Sequence, residues 1–198
     1  MIQFNVATIV FLLPSLITLV VMRLRKQAWM KTLSVLGWRL GSPTYYRWVL
    51  LALPLTVIVA GLLAFFVLPD IYRNPPQSTT LYTYARLGFS FSSILIAFVN
   101  EFFFTALGEE VFFRGLLGGW LMRRFGFLLG NTLQTIIFFL PHSLFVLVAP
   151  NLWPLLIFPA VLGWVNGWLR YKTESVLPGM LIHGLGNTIN GIFAMLRI

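Results

Sequence analysis

The sequence predicts an all-α, polytopic membrane protein: a helix bundle with about six transmembrane helices and one interfacial helix. Two features of the composition predict this class. Hydrophobic residues make up 59% of the chain and charged residues only 10%, whereas soluble domains carry roughly 25% charged residues. The apolar residues also fall into runs of about 20 residues, the length that crosses a bilayer as a helix. We therefore interpret residues 1–198 as a single integral membrane domain.

Polar or proline-rich segments divide the chain into six apolar segments. The first three predicted spans are Ile2–Met22, Trp48–Pro69 and a segment from near Phe89 toward Trp120. The last three are Phe127–Val148, Leu152–Leu169 and Pro178–Leu196. The first segment lacks the basic leader and the Ala-x-Ala site of a signal peptide, so we expect it to be retained as a span.

The stretch Lys31–Arg47 differs from these apolar segments because it is amphipathic. It interleaves tryptophans and tyrosines with arginines. This pattern is typical of a helix that lies in the plane of the membrane interface. We therefore expect an interfacial helix between the first and second spans.

The net charge of +9 predicts the orientation of the spans rather than a charged ligand. If the spans alternate, one side carries Arg23, Arg25, Lys26, Lys31, Arg39, Arg47, Arg123, Arg124, Arg170 and Lys172. The other side carries only Arg73, Arg86 and Arg197. The positive-inside rule assigns the first side to the cytoplasm and both termini to the opposite side. These basic residues flank apolar spans and form no soluble domain, which argues against nucleic acid as a partner.

Glu109 and Glu110 are the most informative residues, because the chain has only five acidic residues and these two are adjacent in an apolar segment. Ionisable groups at membrane depth are costly and usually face a cavity or a partner. On a helix, Glu110 and Arg114 are spaced i, i+4, the favourable order for an ion pair. Glu109 has Phe113 at that spacing, so its carboxylate is available as a general base or acid. The alternative is a salt-bridge cluster that only locks two helices together.

The first of the two histidines, His142, is placed to meet this pair. Glu110 and His142 each lie 16 residues from Gly126, where we expect a turn. In an antiparallel hairpin they would then lie at one height. Phe138 precedes His142 by four residues and would pack beside it. Alone, a histidine on an apolar helix face is more often a packing residue than a catalyst.

The second histidine, His183, is spaced i, i+4 from Asn187, so both lie on one helix face, which Asn190 extends by a turn. His183 and Asn187 can present hydrogen-bond donors to one point, if the histidine donates from its ring N–H. They can equally be polar contacts between helices, which intramembrane His and Asn commonly provide. The chain has no cysteine, which excludes disulfides, thiolate metal sites and a cysteine nucleophile.

Three motifs in this order on successive helices resemble those of the CAAX protease and bacteriocin-processing (CPBP, or Abi) family, the family of the type II CAAX prenyl endopeptidases. They are Glu109-Glu110…Arg114, Phe138…His142 and His183…Asn187. The resemblance covers about residues 90–192. It implies an intramembrane endopeptidase that hydrolyses a peptide bond of a membrane-associated protein or peptide. It also implies a catalytic core of four helices in residues 88–198, preceded by the N-terminal spans and interfacial segment in residues 1–87.

The resemblance also implies a role for each motif residue. Glu109 activates a water molecule for attack on the scissile carbonyl, and His142 helps to orient it or share its proton. His183 and Asn187 form an oxyanion hole, a set of donors that stabilises the negative charge of the transition state. The supporting frame consists of Glu110, Arg114 and Phe138. This mechanism uses no cofactor.

A zinc-dependent metalloprotease is the alternative mechanism. Glu109, His142 and His183 would then supply the three protein ligands of a catalytic zinc ion. The sequence has no His-Glu-x-x-His helix, and Asn187 suits an oxyanion hole better than a metal site. We therefore prefer the metal-free mechanism.

Two other classes of function fit the same residues. A catalytically idle family member would act as an interaction or immunity protein. A small transporter or channel would relay protons through its Glu and His side chains, but it would be expected to show repeat symmetry. Loss of cleavage, as opposed to loss of a pH-driven flux, in a Glu109 variant would separate proteolysis from transport. We expect an integral protein of a prokaryotic inner or plasma membrane, surrounded by lipid, with an active site reached from the cytoplasmic side.

Overall fold

All regular structure in residues 6–197, the part of the chain described by this computed structural model, is helical. This confirms the predicted all-α class. The first three helices are α1 (Val6–Leu24), α2 (Trp29–Val35) and α3 (Pro43–Val67). The connection to the next long helix contains α4 (Pro69–Arg73) and α5 (Thr80–Leu87). The long helix α6 (Phe91–Phe125) follows.

The second half of the chain contains α7 (Phe127–Ser143), α8 (Phe145–Val148), α9 (Ile157–Thr173) and α10 (Leu177–Leu196). A 3-10 helix, Pro150–Leu156, leads directly into α9. The turn between α6 and α7 is at Gly126, where the sequence predicted it. Its φ of +77° is a left-handed conformation that favours glycine. The helices α6 and α7 therefore form the expected antiparallel hairpin.

Four helical stretches of the described residues are long and apolar enough to cross a membrane. They are Pro43–Val67, Phe91–Phe125, Phe127–Leu147 and Pro150–Thr173. They correspond to the second, third, fourth and fifth predicted spans, with small shifts at the ends. The first predicted span begins outside the described residues, and its described part overlaps the shorter apolar helix Thr8–Leu24. The helix α10 matches the bounds of the sixth predicted span but is not among these four stretches. The count of six spans therefore stays a prediction.

The stretch Lys31–Arg47 is not one continuous interfacial helix. The helix α2 ends at Val35, and residues 36–42 form an irregular segment with positive φ at Gly37 and Gly41. This 36–42 segment packs onto the bundle: Leu36 is buried, and the Gly37 carbonyl accepts a hydrogen bond of 2.9 Å from the N–H of Val176. The helix is shorter than predicted because positive φ ends it and tertiary contacts hold the segment that follows.

The helix α6 carries the Glu pair and is the longest helix of the described residues. Its 35 residues would extend about 52 Å as a regular α-helix, compared with roughly 30 Å for the hydrocarbon core. Two π-helical segments, Asn100–Ala106 and Glu110–Gly118, interrupt it. In a regular helix Glu101 and Glu109 would be about 80° apart around the axis. The wider π turns change this angle, and both side chains face interior cavities.

The helix α10 is packed against α3, α5, α6 and α9 and so lies in the middle of the bundle. Its close approach to α6 depends on Gly184. A Cβ atom at this position would lie 2.6 Å from the ring of Phe102 and 3.1 Å from its Cα. This packing places the polar face of α10 against the carboxylates of α6.

Candidate active site

Glu110 lies at the centre of a buried polar cluster in which four helices meet. Its Oε1 atom is 3.2 Å from Nη1 of Arg114 on the same helix, and both side chains are fully buried. The same oxygen accepts hydrogen bonds from Nδ1 of His183 on α10, at 3.0 Å, and from Nδ2 of Asn166 on α9, at 3.1 Å. The guanidinium carbon of Arg114 lies 3.9 Å from the ring centre of Phe138 on α7. The predicted i, i+4 ion pair is therefore present and connects all four helices.

The Glu110–Arg114 contact is an ion pair rather than a directed hydrogen bond. Within the described residues, Oε2 of Glu110 and both Nε and Nη1 of Arg114 have no hydrogen-bond partner. Gly179 leaves space for the carboxylate, because a Cβ there would lie 2.8 Å from Oε2 of Glu110. The cluster thus depends on close helix packing as well as on charge.

His183 lies between the two adjacent carboxylates. Its Nδ1 contacts Glu110, and its Nε2 lies 3.8 Å from Oε2 of Glu109. An ionised carboxylate only accepts hydrogen bonds, so Nδ1 is the donor to Glu110. The Oε2 atom of Glu109 is buried and has no hydrogen-bond partner in the described part of the chain. Glu109 is therefore close to the histidine while its carboxylate is still available.

His142 is held by the backbone of its own helix. Its Nδ1 lies 2.8 Å from the carbonyl oxygen of Phe138, and the two rings pack with centroids 4.5 Å apart, as expected. Because a carbonyl only accepts, Nδ1 carries the proton, and in the neutral ring Nε2 is an acceptor. The imidazole can therefore accept a proton or a hydrogen bond through Nε2.

A cavity of about 200 Å³ connects the four predicted catalytic side chains. Its lining includes Glu109, His142, His183 and Asn187. A larger cavity of about 280 Å³ shares His142 and Asn187 with it and extends to the segment 78–81 between α4 and α6. The two cavities therefore adjoin each other beside α10.

Glu101 is a buried carboxylate beside this space that the sequence analysis did not single out. Its Oε2 accepts a hydrogen bond of 3.1 Å from Nδ2 of Asn187, and its Oε1 accepts one of 2.7 Å from the hydroxyl of Tyr84. One N–H of Asn187 is therefore directed to Glu101, and the other is available to the cavity. The signal was present in the sequence, because Glu101 is one of five acidic residues and lies in an apolar run.

Two tyrosines from the connection between α3 and α6 complete the polar face of α10. Tyr84 bonds to Glu101, and the hydroxyl of Tyr72 donates to Oδ1 of Asn190. Burial raises the pKa of Tyr72 to about 12. Burial, together with the Glu101 carboxylate, also raises the pKa of Tyr84. Both phenols are therefore protonated donors at neutral pH, and residues before position 88 contribute contacts to the site.

A second set of polar side chains that the sequence analysis missed lies between α7 and α9. Asn131 donates to the carbonyl of Trp164 at 3.0 Å, and Gln134 donates to the carbonyl of Gly163 at 2.9 Å. Both side chains are fully buried. They satisfy backbone groups between two helices, and they position the helices that carry His142 and Asn166.

The residues named for the zinc alternative have restricted donor atoms. In the described residues, no group of three His, Cys, Asp or Glu side chains is arranged so that it could hold a metal ion. The Nδ1 atoms of His142 and His183 are both engaged, with Phe138 and Glu110 respectively. Each ring would therefore have to bind a metal through Nε2.

The larger cavity and one pocket lined by arginines lie toward opposite ends of α6 and α9. Arg39, Arg123 and Arg170 line one pocket at the end where α6 and α9 finish. The larger cavity instead reaches residues 78–81, at the other end of these helices. The cytoplasmic location of the basic end and the access to the site from the cytoplasm both stay predictions.

A buried cluster of carboxylates and histidines within a membrane helix bundle defines a candidate membrane-embedded hydrolase. The chain belongs to the Rce1-like family of type II CAAX prenyl endopeptidases, because the profile described as "Type II CAAX prenyl endopeptidase Rce1-like" matches residues 89–189. This match confirms the resemblance inferred from the motifs, and the family implies a protease. A search of curated proteins and a search of solved structures found no match to the chain.

Proposed function

We propose that this chain is an intramembrane endopeptidase that hydrolyses a peptide bond of a membrane-associated protein or peptide. The observation that carries the proposal is the carboxylate of Glu109. Its buried Oε2 has no hydrogen-bond partner among the described residues, and it faces a cavity that His142, His183 and Asn187 also line. A carboxylate with a buried oxygen that makes no hydrogen bond is suited to take a proton from water.

In the proposed first step, Glu109 removes a proton from a water molecule in the cavity as its oxygen attacks the scissile carbonyl carbon. The neighbouring Arg114 does not block this role, because it is paired with Glu110. His142 supports the water through Nε2, the acceptor atom of its neutral ring. The new carbon–oxygen bond converts the carbonyl oxygen into an oxyanion.

The proposed oxyanion hole consists of His183 and Asn187. Because Nδ1 of His183 donates to Glu110, Nε2 donates to the oxyanion only when the ring carries both protons. The flanking carboxylates of Glu109 and Glu110 can stabilise the positive charge of this doubly protonated ring. Asn187 contributes its second N–H, and Glu101 fixes the orientation of the amide. Loss of one such donor typically lowers the rate by about 10²–10³.

In the proposed second step, the carbon–nitrogen bond breaks and the proton held by Glu109 is transferred to the leaving nitrogen. The products are a new carboxylic acid, which then releases its proton to become a carboxylate, and a new amine, and no electrons are gained or lost. Glu110, Arg114 and Phe138 form the frame that keeps the reacting groups in register. We assign the catalytic groups to residues 88–198, with Tyr84 as a supporting contact from the preceding part.

We further propose that the substrate reaches the site through the larger cavity, from the end of the bundle opposite to the basic residues. This cavity is lined by residues 78–81 on one side and by Glu101, His142 and Asn187 on the other. The family name refers to prenylated CAAX proteins, so a farnesylated CAAX peptide is the first substrate to test. An unprenylated peptide of the same sequence tests whether the lipid is required.

The experiment that tests hydrolysis directly uses purified protein in lipid vesicles and water enriched in ¹⁸O. We expect release of the C-terminal fragment and one ¹⁸O atom in the new carboxylate, detected by mass spectrometry. Product without ¹⁸O would contradict direct attack by water. A pH-driven flux that requires Glu109, with no cleavage of any peptide, would favour the transporter alternative.

A further inference from the structure

A second polar pocket lies at the basic end of the bundle, away from the catalytic cavities. It has a volume of about 490 Å³ and is lined by Arg39, Arg123, Arg170 and Glu174, among others. The end of α2 and Arg39 line it on one side, and the C-terminal ends of α6 and α9 line it on the other. None of the residues assigned to proteolysis lies in this pocket, so its role is separate.

Arg170 is the buried cation around which the pocket is built. Its side chain is only 7% exposed, and its Nε has no hydrogen-bond partner in the described residues. Its Nη2 makes one long contact of 3.4 Å with the carbonyl of Val35. A Cβ atom at Gly37 would lie 2.8 Å from the guanidinium carbon, so the glycine leaves the space that this group occupies.

The charges that face Arg170 are of its own sign. Arg123 and Arg39 line the pocket together with it. Glu174, the acidic side chain of the pocket lining, forms an ion pair with Arg39. Nη1 of Arg123 and Nη2 of Arg170 lie 3.1 Å and 3.6 Å from the position of a Cβ at Gly119, so the two guanidinium groups converge. A buried cation without a counter-charge is strongly unfavourable, and an anion between the two groups would supply one.

We propose that this pocket binds a phosphate group, and that its source is the headgroup of an anionic phospholipid. Two converging guanidinium groups can each form paired hydrogen bonds with phosphate oxygens. Trp120 and Tyr171, near the same helix ends, are each about half exposed, as expected for aromatic residues at the membrane interface. Basic pockets between membrane helices are suited to anionic headgroups. A pocket at the level of these aromatic residues would meet the lipid phosphates.

The test uses the purified full-length chain in a neutral detergent, with binding followed by native mass spectrometry and by melting temperature. Phosphatidylglycerol, phosphatidylcholine and inorganic phosphate are the three probes. We expect one phosphatidylglycerol to bind saturably and raise the melting temperature, with much weaker binding of phosphatidylcholine. Arg123→Gln should weaken phosphatidylglycerol binding by roughly five- to tenfold, the effect of one arginine near a lipid phosphate.

Arg124→Gln is the matched control, since Arg124 is the next residue of the same helix, is exposed, and does not line the pocket. It should change the affinity less than twofold. Gly119→Ala should weaken binding without any change of charge, because the added methyl group lies between the two guanidinium groups. Neither Arg123→Gln nor Gly119→Ala removes the buried Arg170 itself.

Each outcome of this test has a defined meaning. Equal losses in the Arg123 and Arg124 variants would overturn the proposal in favour of diffuse surface charge. Equal binding of phosphatidylcholine and phosphatidylglycerol would also overturn it. If inorganic phosphate displaces phosphatidylglycerol at similar concentration, the pocket binds phosphate in free form as well; if it does not, the lipid is the specific source.

Discussion

Asn187 donates a hydrogen bond from Nδ2 to Oε2 of Glu101, 3.1 Å away, across the contact between α10 and α6. The bond identifies the amide atom next to Glu101 as the nitrogen, because an ionised carboxylate only accepts hydrogen bonds. The second N–H of the same group is then available to the cavity that Glu109 faces. A residue in the first helix of the family match thus controls the direction of a proposed oxyanion donor on the last helix.

Glu101→Gln should lower kcat with little change in KM, because the neutral amide no longer fixes the orientation of Asn187. The loss should be smaller than the about 10²–10³ expected for removal of the donor itself. Tyr84→Phe is the matched control: it removes the other hydrogen bond of Glu101 and leaves its contact with Asn187 intact. Steady-state kinetics of the three proteins measure the effect. A wild-type kcat in the Glu101 variant would show that catalysis does not depend on the orientation of Asn187 by Glu101.

Glu110→Gln should destabilise the protein, because Arg114 would remain buried without its carboxylate partner. Breaking a buried ion pair by removing one partner typically costs about 3–5 kcal/mol. The adjacent change Glu109→Gln is the control, since Glu109 makes no hydrogen bond through its buried Oε2 within the described residues. Melting temperatures in detergent should fall for the first variant and stay near wild type for the second. Equal melting temperatures for the two variants would contradict the claim that Glu110 stabilises the fold and Glu109 does not.

Asn187→Ala, combined with metal analysis, separates the two mechanisms. If Asn187 donates to the oxyanion, the variant should turn over about 10²–10³ times more slowly while binding substrate nearly as well. Active wild-type protein should then contain less than one metal ion per chain, and chelators should not inactivate it. One tightly bound zinc per active chain, with a near-normal rate for Asn187→Ala, would favour the metalloprotease with Glu109, His142 and His183 as ligands.

Residues 40 and 78 should lie on opposite faces of the membrane. The wild-type chain has no cysteine, so Leu40→Cys and Ser78→Cys each introduce a single reactive group at an exposed position. An impermeant thiol reagent added from the cytoplasmic face should label position 40 and not position 78. Labelling of both positions from one face would contradict the alternation of spans. The face that labels position 78 is also the one toward which the larger cavity extends.

The detergent-solubilised protein should lose stability as the pH rises above 10. Burial raises the pKa of Tyr72 to about 12, whereas a tyrosine in the unfolded chain releases its proton near pH 10. The contribution of the buried phenol to the free energy of unfolding is therefore complete below pH 10 and is lost as the pH approaches 12. Tyr72→Phe should make the decline of melting temperature with pH shallower. An identical decline in the variant would show that Tyr72 is not responsible.

The parts of the site that the sequence predicted depend on spacing within one helix or across one short turn. Glu110 with Arg114, and Phe138 with His142, are i, i+4 pairs, and Gly126 defines the hairpin that brings α6 and α7 together. Such relationships follow from helix geometry alone.

The parts that it did not predict depend on contacts between distant segments. Glu101 and Asn187 are 86 residues apart, and their contact requires the π turns of α6 and the close approach at Gly184. The 36–42 segment was expected to continue a helix, but Gly37 and Gly41 adopt positive φ and the segment packs against the bundle. The contact of residues 78–81 with the larger cavity likewise follows from how the helices assemble, which the charge pattern does not contain.

The single-turnover cleavage rate of Glu109→Gln is the most direct measurement of the central claim, that Glu109 activates the attacking water. The glutamine is nearly the same size but cannot accept the proton, so we expect a folded protein with a wild-type melting temperature that binds peptide and does not cleave it. Cleavage at the wild-type rate by this variant would contradict the account.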